Sequence, residues 1–187
     1  MRVKCIFDKT PNSEDSIYQD SLRYEFLEIG KEYNVYGMIV NEEVRYYICE
    51  TRQALFPVSR PASLFKILDN HLSRYWIFGF IEGFKKYPVW IFSEWINEPY
   101  FQDSLTDLAE REVQIFKSYK ELMDLEFPDS FISEMAQLGD DEWLICTTCI
   151  DAWQHSSVKD ALVRCPKCRK ILNNPRYKNE YPFSSNK

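Results

Sequence analysis

Four of the six cysteines form two closely spaced pairs near the C-terminal end of the sequence, and their spacing is typical of a metal site. The motifs Cys-Thr-Thr-Cys and Cys-Pro-Lys-Cys are separated by fifteen residues. Two thiolates three residues apart on a tight turn can both reach one ion about 2.3 Å away, and two such turns complete a tetrahedron. The predicted ligands are Cys146, Cys149, Cys165 and Cys168.

The ligand types favour one structural Zn²⁺. Soft thiolates select zinc over Mg²⁺ or Ca²⁺, and four protein ligands leave no open position for water or substrate. The alternatives are an iron–sulfur cluster, which less often has this short symmetric spacing, unmetallated buried pairs, or disulfides within the motifs. His155 lies between the pairs and could replace one cysteine, but we expect a surface or packing role for it.

The region from about Trp143 to Pro175 resembles the zinc-ribbon or rubredoxin-like knuckle family. The resemblance implies a small module whose folding energy comes largely from the metal. It is specific for metal and not for function, because zinc ribbons occur in transcription and translation proteins, in adaptors and as stabilising lobes. The apolar residues expected to pack around the motifs are Trp143, Ile145, Ile150, Trp153, Val163 and Ile171.

The residues that precede this module predict an α+β protein. Residues 33–40 and 44–49 are rich in β-branched and aromatic side chains, and Asn41-Glu42-Glu43 between them predicts a tight hairpin. Further strands are expected at 75–81 and 88–92. Short strands at this spacing indicate a small antiparallel, strongly bent sheet or partial barrel.

The middle of the chain changes to a helical pattern. Apolar residues recur at helical spacing from Leu105 to Met123, and residues 104–107 resemble a capping box with Asp in place of the usual Glu or Gln. A second, shorter helix is predicted through Ile132, Met135 and Leu138. It is expected to end at Gly139.

These patterns divide the chain into four parts. Residues 1–97 are expected to form the β-rich domain, and residues 98–139 an acidic helical segment packed on it. Residues 140–178 are the predicted zinc-ribbon-like module with its four-cysteine knuckles, and residues 179–187 a flexible tail.

Composition excludes several classes of protein. The chain has 187 residues and is 45% hydrophobic, which is enough for a folded core and excludes a disordered protein. Its net charge is −6, so it is not as a whole a nucleic-acid coat or a binder of anionic membranes. No segment has the length and apolar content of a membrane span or a signal peptide. We therefore expect a cytoplasmic protein with reduced thiols.

The charges are unevenly distributed. Residues 98–129 contain nine acidic and three basic residues. Such a region is either a solvated surface or a face for a basic partner, for example a nuclease, because charge complementarity speeds association. The candidate partner-binding residues are Asp107, Glu110, Glu121 and Asp124.

The opposite charge dominates residues 164–178, which contain six basic and no acidic residues. This basic strip either balances the negative charge of four thiolates or contacts phosphate. The second interpretation makes the chain a nucleic-acid-associated protein that binds through Arg169, Lys170 and Arg176.

The sequence carries no recognisable catalytic signature. It has only two histidines, His71 and His155, and lacks the nucleotide-binding, nucleophile-elbow and metalloprotease motifs. Cys5 and Cys49 lie in apolar strand patterns, where buried structural thiols are the ordinary outcome. We therefore expect a protein that is not an enzyme.

About two thirds of the chain resembles bacterial toxin-immunity proteins of the contact-dependent-inhibition or polymorphic-toxin type. The resemblance lies in residues 28–37, 46–50, 61–69 and 75–79, together with the acidic helical region. Immunity proteins are typically small, acidic, cytosolic and non-enzymatic, and they occlude the active site or an exosite of a toxin. The resemblance implies a protein partner, a toxin domain with a basic surface, and no membrane partner.

Overall fold

The computed structural model describes residues 1–9, 24–51, 53–82, 86–128 and 132–178. The chain divides into two compact units at Lys120 and Glu121. We call the described residues up to Lys120 the N-terminal unit, and those from Glu121 to Lys178 the cysteine unit. The predicted tail, 179–187, lies outside the described residues.

The N-terminal unit is built on seven antiparallel strands. They are β1 (Arg2–Cys5), β2 (Glu32–Asn41), β3 (Glu43–Ile48), β4 (Val58–Pro61), β5 (Phe65–Asp69), β6 (Ile77–Glu82) and β7 (Lys86–Ile91). A short 3₁₀ turn at Ala62–Leu64 joins β4 to β5. The predicted hairpin is confirmed, because Asn41 pairs with Glu43 and Glu42 turns the chain at φ 58°.

Strand β2 is central to this sheet. One edge of β2 pairs with β3, while the other is shared by β1 near its start and β7 near its end. A bulge between Val35 and Gly37 separates the part of β2 that pairs with β1 from the part that pairs with β7. Bulges bend a strand and increase its twist. The order is β4-β3-β2-β1-β5, with β7 and β6 branching from β2. The strands are antiparallel as predicted, but the sheet is open and does not close into a barrel.

The helical region differs from the prediction of one long helix. The helices are α1 (Ser93–Asn97), α2 (Phe101–Thr106) and α3 (Glu110–Asp124). The predicted cap at Ser104 is wrong, because that residue lies inside α2. Leu108 adopts φ 61°, and the Ala109 N–H donates to the Ser104 carbonyl at 2.9 Å. This is the Schellman termination, which usually uses glycine at the left-handed position.

Aromatic side chains form the core between the helices and the sheet of the N-terminal unit. The ring of Phe92 stacks on Tyr119 at 4.3 Å between centroids and meets Trp95 and Phe101 edge-on, each at 5.7 Å. Phe92 has no exposed surface. The core therefore depends on aromatic rings from Phe92, which joins β7 to α1, and from α1, α2 and α3.

The cysteine unit is mostly strands. It contains β8 (Gln137–Leu138), β9 (Trp143–Ile145), β10 (Ala152–Gln154), β11 (Leu162–Arg164) and β12 (Ile171–Asn173). The order β10-β9-β8 forms one sheet, and β11 pairs with β12 in a second.

The second predicted helix, through Ile132, Met135 and Leu138, is wrong. The Ala136 N–H donates to the Asn173 carbonyl at 3.0 Å, and the Asn173 N–H donates to the Glu134 carbonyl at 2.8 Å. The next residues form β8 and pair with β9. This segment is extended because its backbone groups bond first to β12 and then to β9.

Among the described residues, no helix combines the length and the apolar character that crossing a bilayer requires.

Candidate metal centre

The two cysteine motifs lie at the tips of two β-hairpins. Residues 146–151 connect β9 to β10, and residues 165–170 connect β11 to β12. Antiparallel pairing fixes the two ends of each connection, so each tip presents its pair of thiols at one place.

The two tips have the same backbone hydrogen bonds. In the first, the Ile150 N–H donates to the Cys146 carbonyl and the Cys146 N–H donates to the Asp151 carbonyl, both at 2.9 Å. In the second, the Arg169 N–H donates to the Cys165 carbonyl at 3.0 Å, and the Cys165 N–H donates to the Lys170 carbonyl at 2.9 Å. Two similar turns of this kind are what a symmetric four-thiolate site requires.

The four sulfur atoms form one group. All the Sγ atoms lie within 4.8 Å of one another. The Sγ atoms of Cys146 and Cys168 are 3.7 Å apart, and those of Cys149 and Cys165 are 3.6 Å apart. Four thiolates around Zn²⁺ at about 2.3 Å have sulfur–sulfur distances of about 3.8 Å. The predicted ligand set therefore comes together with spacing that fits one ion.

Disulfide bonds do not explain this arrangement. None of the six cysteines, which all lie within the described residues, forms a disulfide bond. The Sγ–Sγ distances of 3.6 and 3.7 Å between the two motifs exceed the bond length of about 2.05 Å. Cys146 and Cys165 are fully buried, Cys149 is half-buried and Cys168 is exposed. The site is thus covered on the side of the first cysteine of each motif and open to solvent near Cys168.

The apolar support of the site includes residues that sequence reasoning missed. Ala136, Leu144, Val163 and Leu172 are buried around Cys146 and Cys165, with Trp153 packed against them. Val163 and Trp153 had been predicted. Trp143 and Ile150 had also been predicted to pack, but they are 43% and 72% exposed. Successive side chains of a strand point to opposite faces. If Leu144 in β9 is buried, its neighbour Trp143 must therefore point outwards, as observed.

The first cysteine motif shifts the pKa values of its two thiols in opposite directions. Burial raises the pKa of Cys146, but the backbone N–H groups of Cys149 and Thr148 donate to its thiolate and lower the pKa to about 6. The Asp151 backbone lowers the pKa of Cys149, but burial and hydrogen bonds to neighbouring thiols raise it to about 12. Without metal, the turn therefore favours the thiolate form of Cys146 and the protonated form of Cys149.

Metal affinity is expected to rise about tenfold or more for each pH unit between about pH 7 and about pH 9. The ion binds thiolates, so Cys149, whose pKa is raised, must release its proton when metal binds. The stability that the metal supplies is consequently lost as the pH falls. Chelator competition at several pH values, corrected for protonation of the chelator, measures the slope. An affinity independent of pH would contradict this assignment.

Backbone strain lies next to the second cysteine of each motif. Ile150 adopts φ 60° and Arg169 adopts φ 64°. The left-handed region costs an L-residue about 1–2 kcal/mol, and a β-branched side chain there is a genuine outlier. Ile150 gains little burial in return, because it is 72% exposed.

Replacing Ile150 with glycine is expected to stabilise the metal-bound cysteine unit by about 1 kcal/mol, since relief of strain exceeds the added entropy of the unfolded chain. Denaturant unfolding with metal in excess measures the change. Thr148→Gly is the matched control, because Thr148 is exposed on the same tip and has a negative φ. The control should lose about 0.5–1 kcal/mol. A loss of stability in both variants would show that Ile150 is not strained.

Four basic residues near the site are paired with carboxylates or with a backbone oxygen. Lys170 binds Glu134 at 2.6 Å, and Arg164 lies 3.3 Å from Glu121. Thr147 also donates to Glu134, at 3.3 Å, so this carboxylate contacts both hairpin tips.

Two further cations of the strip also have partners. Lys167 lies 4.0 Å from Asp151, and the Arg176 guanidinium donates to the Asp141 carbonyl. Arg169 is exposed. Of the three candidate nucleic-acid residues, Lys170 and Arg176 therefore have partners within the cysteine unit.

The four acidic candidates fall into two groups. Asp107 and Glu110 are exposed in the N-terminal unit, and no described residue pairs with either carboxylate. Glu121 and Asp124 belong to the cysteine unit and are partly buried, and Glu121 pairs with Arg164.

The two histidines contact carboxylates. His71 Nδ1 lies 2.7 Å from Asp69, and His155 Nε2 lies 3.4 Å from Asp160. His155 does not belong to the group of potential metal ligands in the described residues, which consists of the four cysteines.

Comparisons of the chain with protein-family models, with curated proteins and with solved structures found no match. The resemblance to toxin-immunity proteins stays a prediction.

Proposed function

We propose that the chain is a non-catalytic interaction protein whose cysteine unit folds around one structural Zn²⁺. The observation that carries the zinc assignment is the group of four Sγ atoms within 4.8 Å of one another. Four thiolates saturate a tetrahedral ion and leave no position for a substrate. The N–H donors around Cys146 favour its thiolate form, which is the form that binds metal.

Metal analysis of the purified chain tests the zinc assignment. We expect one zinc per chain, lost when Cys165 is changed to Ser and retained in Cys49→Ser, whose cysteine lies outside the group. Substitution with Co²⁺ should give the visible spectrum of a tetrahedral thiolate site. A stoichiometry far from one, or an iron–sulfur absorption spectrum, would reject a zinc site.

The partner we propose is a toxin domain with a basic surface, which makes this chain an immunity protein. The exposed carboxylates of Asp107 and Glu110, which pair with no residue in the described part of the chain, support this choice because they are available to a basic partner. Complementary charge mainly raises the association rate and the selectivity. The cytoplasm is the expected location, since toxin neutralisation takes place where the toxin acts.

Identification of the gene immediately upstream, and co-expression of the chain with any toxin domain that this gene encodes, test this proposal. We expect neutralisation of toxicity and a 1:1 complex. Changing Asp107 and Glu110 together to Lys should slow association about tenfold at low salt. Glu142→Lys is the control, because Glu142 is an exposed acid of the cysteine unit. Absence of both a complex and neutralisation would reject the immunity function.

A nucleic-acid-associated function is the alternative. It is less favoured because Lys170 and Arg164 pair with carboxylates, which weakens the field available to phosphate. Binding of RNA or DNA that weakens with salt and with Arg169→Ala would favour it. No binding at low salt would reject it.

A further inference from the structure

The edge strand β6 exposes a row of aromatic side chains on one face of the sheet. Phe78 and Phe80 are 55% and 48% exposed, and their ring centroids are 5.2 Å apart. The Phe78 ring also lies 5.0 Å from that of Trp90 on β7. These ring contacts make the three side chains one contiguous apolar surface.

The opposite face of β6 is covered by α1. A Cβ atom on Gly79 would lie 2.7 Å from Cγ2 of Ile96. Because successive side chains alternate between faces, Phe78 and Phe80 point away from this helix. The rings of Phe78 and Phe80 are therefore exposed, whereas Gly79 between them is packed against α1.

One edge of strand β6 pairs with no other strand in the described part of the chain. Among the described residues the strand pairs with β7 alone, in a register without interruption from Ile77 to Glu82. An edge strand presents free N–H and C=O groups that can bind another strand, and proteins usually protect such edges with Lys, Pro, bulges or short length.

The other two edges in the described sheet carry such protection. Strand β4 has four residues and contains Arg60 and Pro61, and β5 carries the exposed Lys66. Strand β6 has six residues, Ile-Phe-Gly-Phe-Ile-Glu, with no Lys, Pro or bulge. The edge most open to strand addition is thus the one that bears exposed aromatic rings.

We propose that β6 pairs with β6 of a second copy of the chain, antiparallel across a two-fold axis. A strand edge is self-complementary under a two-fold axis, and the second copy supplies the same aromatic row. In the register centred on Gly79, Phe78 lies opposite Phe80 of the other copy on the same face, at the Cβ separation of about 5 Å that favours aromatic pairs. This proposal is independent of the proposed immunity function.

The exposed area indicates a weak dimer. Each half-exposed Phe contributes roughly 100 Å² of apolar surface, so the four rings supply roughly 400 Å². Stable interfaces bury about 1,200–2,000 Å² in total, and smaller ones belong to weak or transient complexes. We expect a dissociation constant in the micromolar range. Each chain has a net charge of −6, so salt should strengthen the dimer by screening the repulsion between the two copies. Salt should instead weaken a complex with a basic partner.

Sedimentation of the zinc-loaded chain from about 1 µM to about 500 µM, a range that brackets weak association, tests the proposal. The average mass should rise from 22.4 kDa towards twice that value. Phe78→Lys and Phe80→Lys should each weaken association about tenfold or more, since a buried aromatic contact is lost. Leu55→Lys is the matched control, because Leu55 is 51% exposed elsewhere in the N-terminal unit, and it should associate normally.

A mass of 22.4 kDa at every concentration would overturn the proposal, as would equal effects of Phe78→Lys and Leu55→Lys. Hydrogen exchange of the unmodified chain provides a test that does not depend on the variants folding. Amides of residues 77–82 should become more protected as concentration rises. Protection that does not change with concentration would also overturn it.

Discussion

Removal of the metal is expected to unfold the cysteine unit while the sheet of the N-terminal unit remains folded. Structural Zn²⁺ contributes about 10–16 kcal/mol of apparent binding free energy in small zinc modules. The core cluster around the proposed metal site contains six buried residues, and two of these are the candidate ligands Cys146 and Cys165. Once the ion is removed, we expect the thiolates to repel one another and the hairpins β9–β10 and β11–β12 to separate.

Hydrogen exchange with and without a strong chelator measures this loss by region. Amides of residues 143–173 should lose protection, whereas those of β2 and β7 should keep it. Cys165→Ser should reproduce the effect with zinc present. Cys49→Ser is the control, since Cys49 lies outside the metal group. A cysteine unit that stays fully protected in chelator would show that the metal is not structural.

Phe92→Ala is expected to destabilise the N-terminal unit by about 3–5 kcal/mol. Phe92 is fully buried, and its ring contacts Tyr119, Trp95 and Phe101. Removing the ring leaves a cavity among three other rings. These rings cannot fill the cavity without leaving their low-energy rotamers. The cost therefore combines lost apolar burial with lost aromatic contacts.

Thermal and denaturant unfolding of the zinc-loaded chain measure this effect. A loss of this size should lower the melting temperature of the unit by about 10 °C or more. Phe26→Ala is the matched control, because Phe26 is 65% exposed, and it should change stability by about 0.5 kcal/mol or less. Equal effects of the two substitutions would contradict the assignment of Phe92 to the core.

The helical region illustrates why part of the fold was not predictable from the sequence. The apolar spacing from Leu105 to Met123 fits one helix. In the structure, however, α2 ends at Thr106 and Leu108 adopts a positive φ before α3 begins. A glycine at this position would have marked the helix end. Leucine gives no such signal, so the break is visible only in the packed structure, where Leu105 and Phe116 are both buried.

The segment that precedes the metal site gives a second example. Ile132, Met135 and Leu138 have helical spacing, but the same residues are compatible with a strand. Their conformation is decided by the hydrogen bonds of Glu134 and Ala136 to Asn173, a residue nearly forty positions later in the sequence. Local propensity is a weak prior, and such long-range pairing overrides it.

The sequence by itself determined which four cysteines come together, because the cysteine pairs need only local turns to present two thiols each. It also determined the hairpin of β2 and β3, whose turn is contained within a few residues. The tertiary structure alone decided which charges are neutralised, as in Lys170 with Glu134. It also decided that the aromatic row of β6 lies on an open edge. Such features depend on residues that are distant in the chain, and the sequence does not encode their contacts in any local pattern.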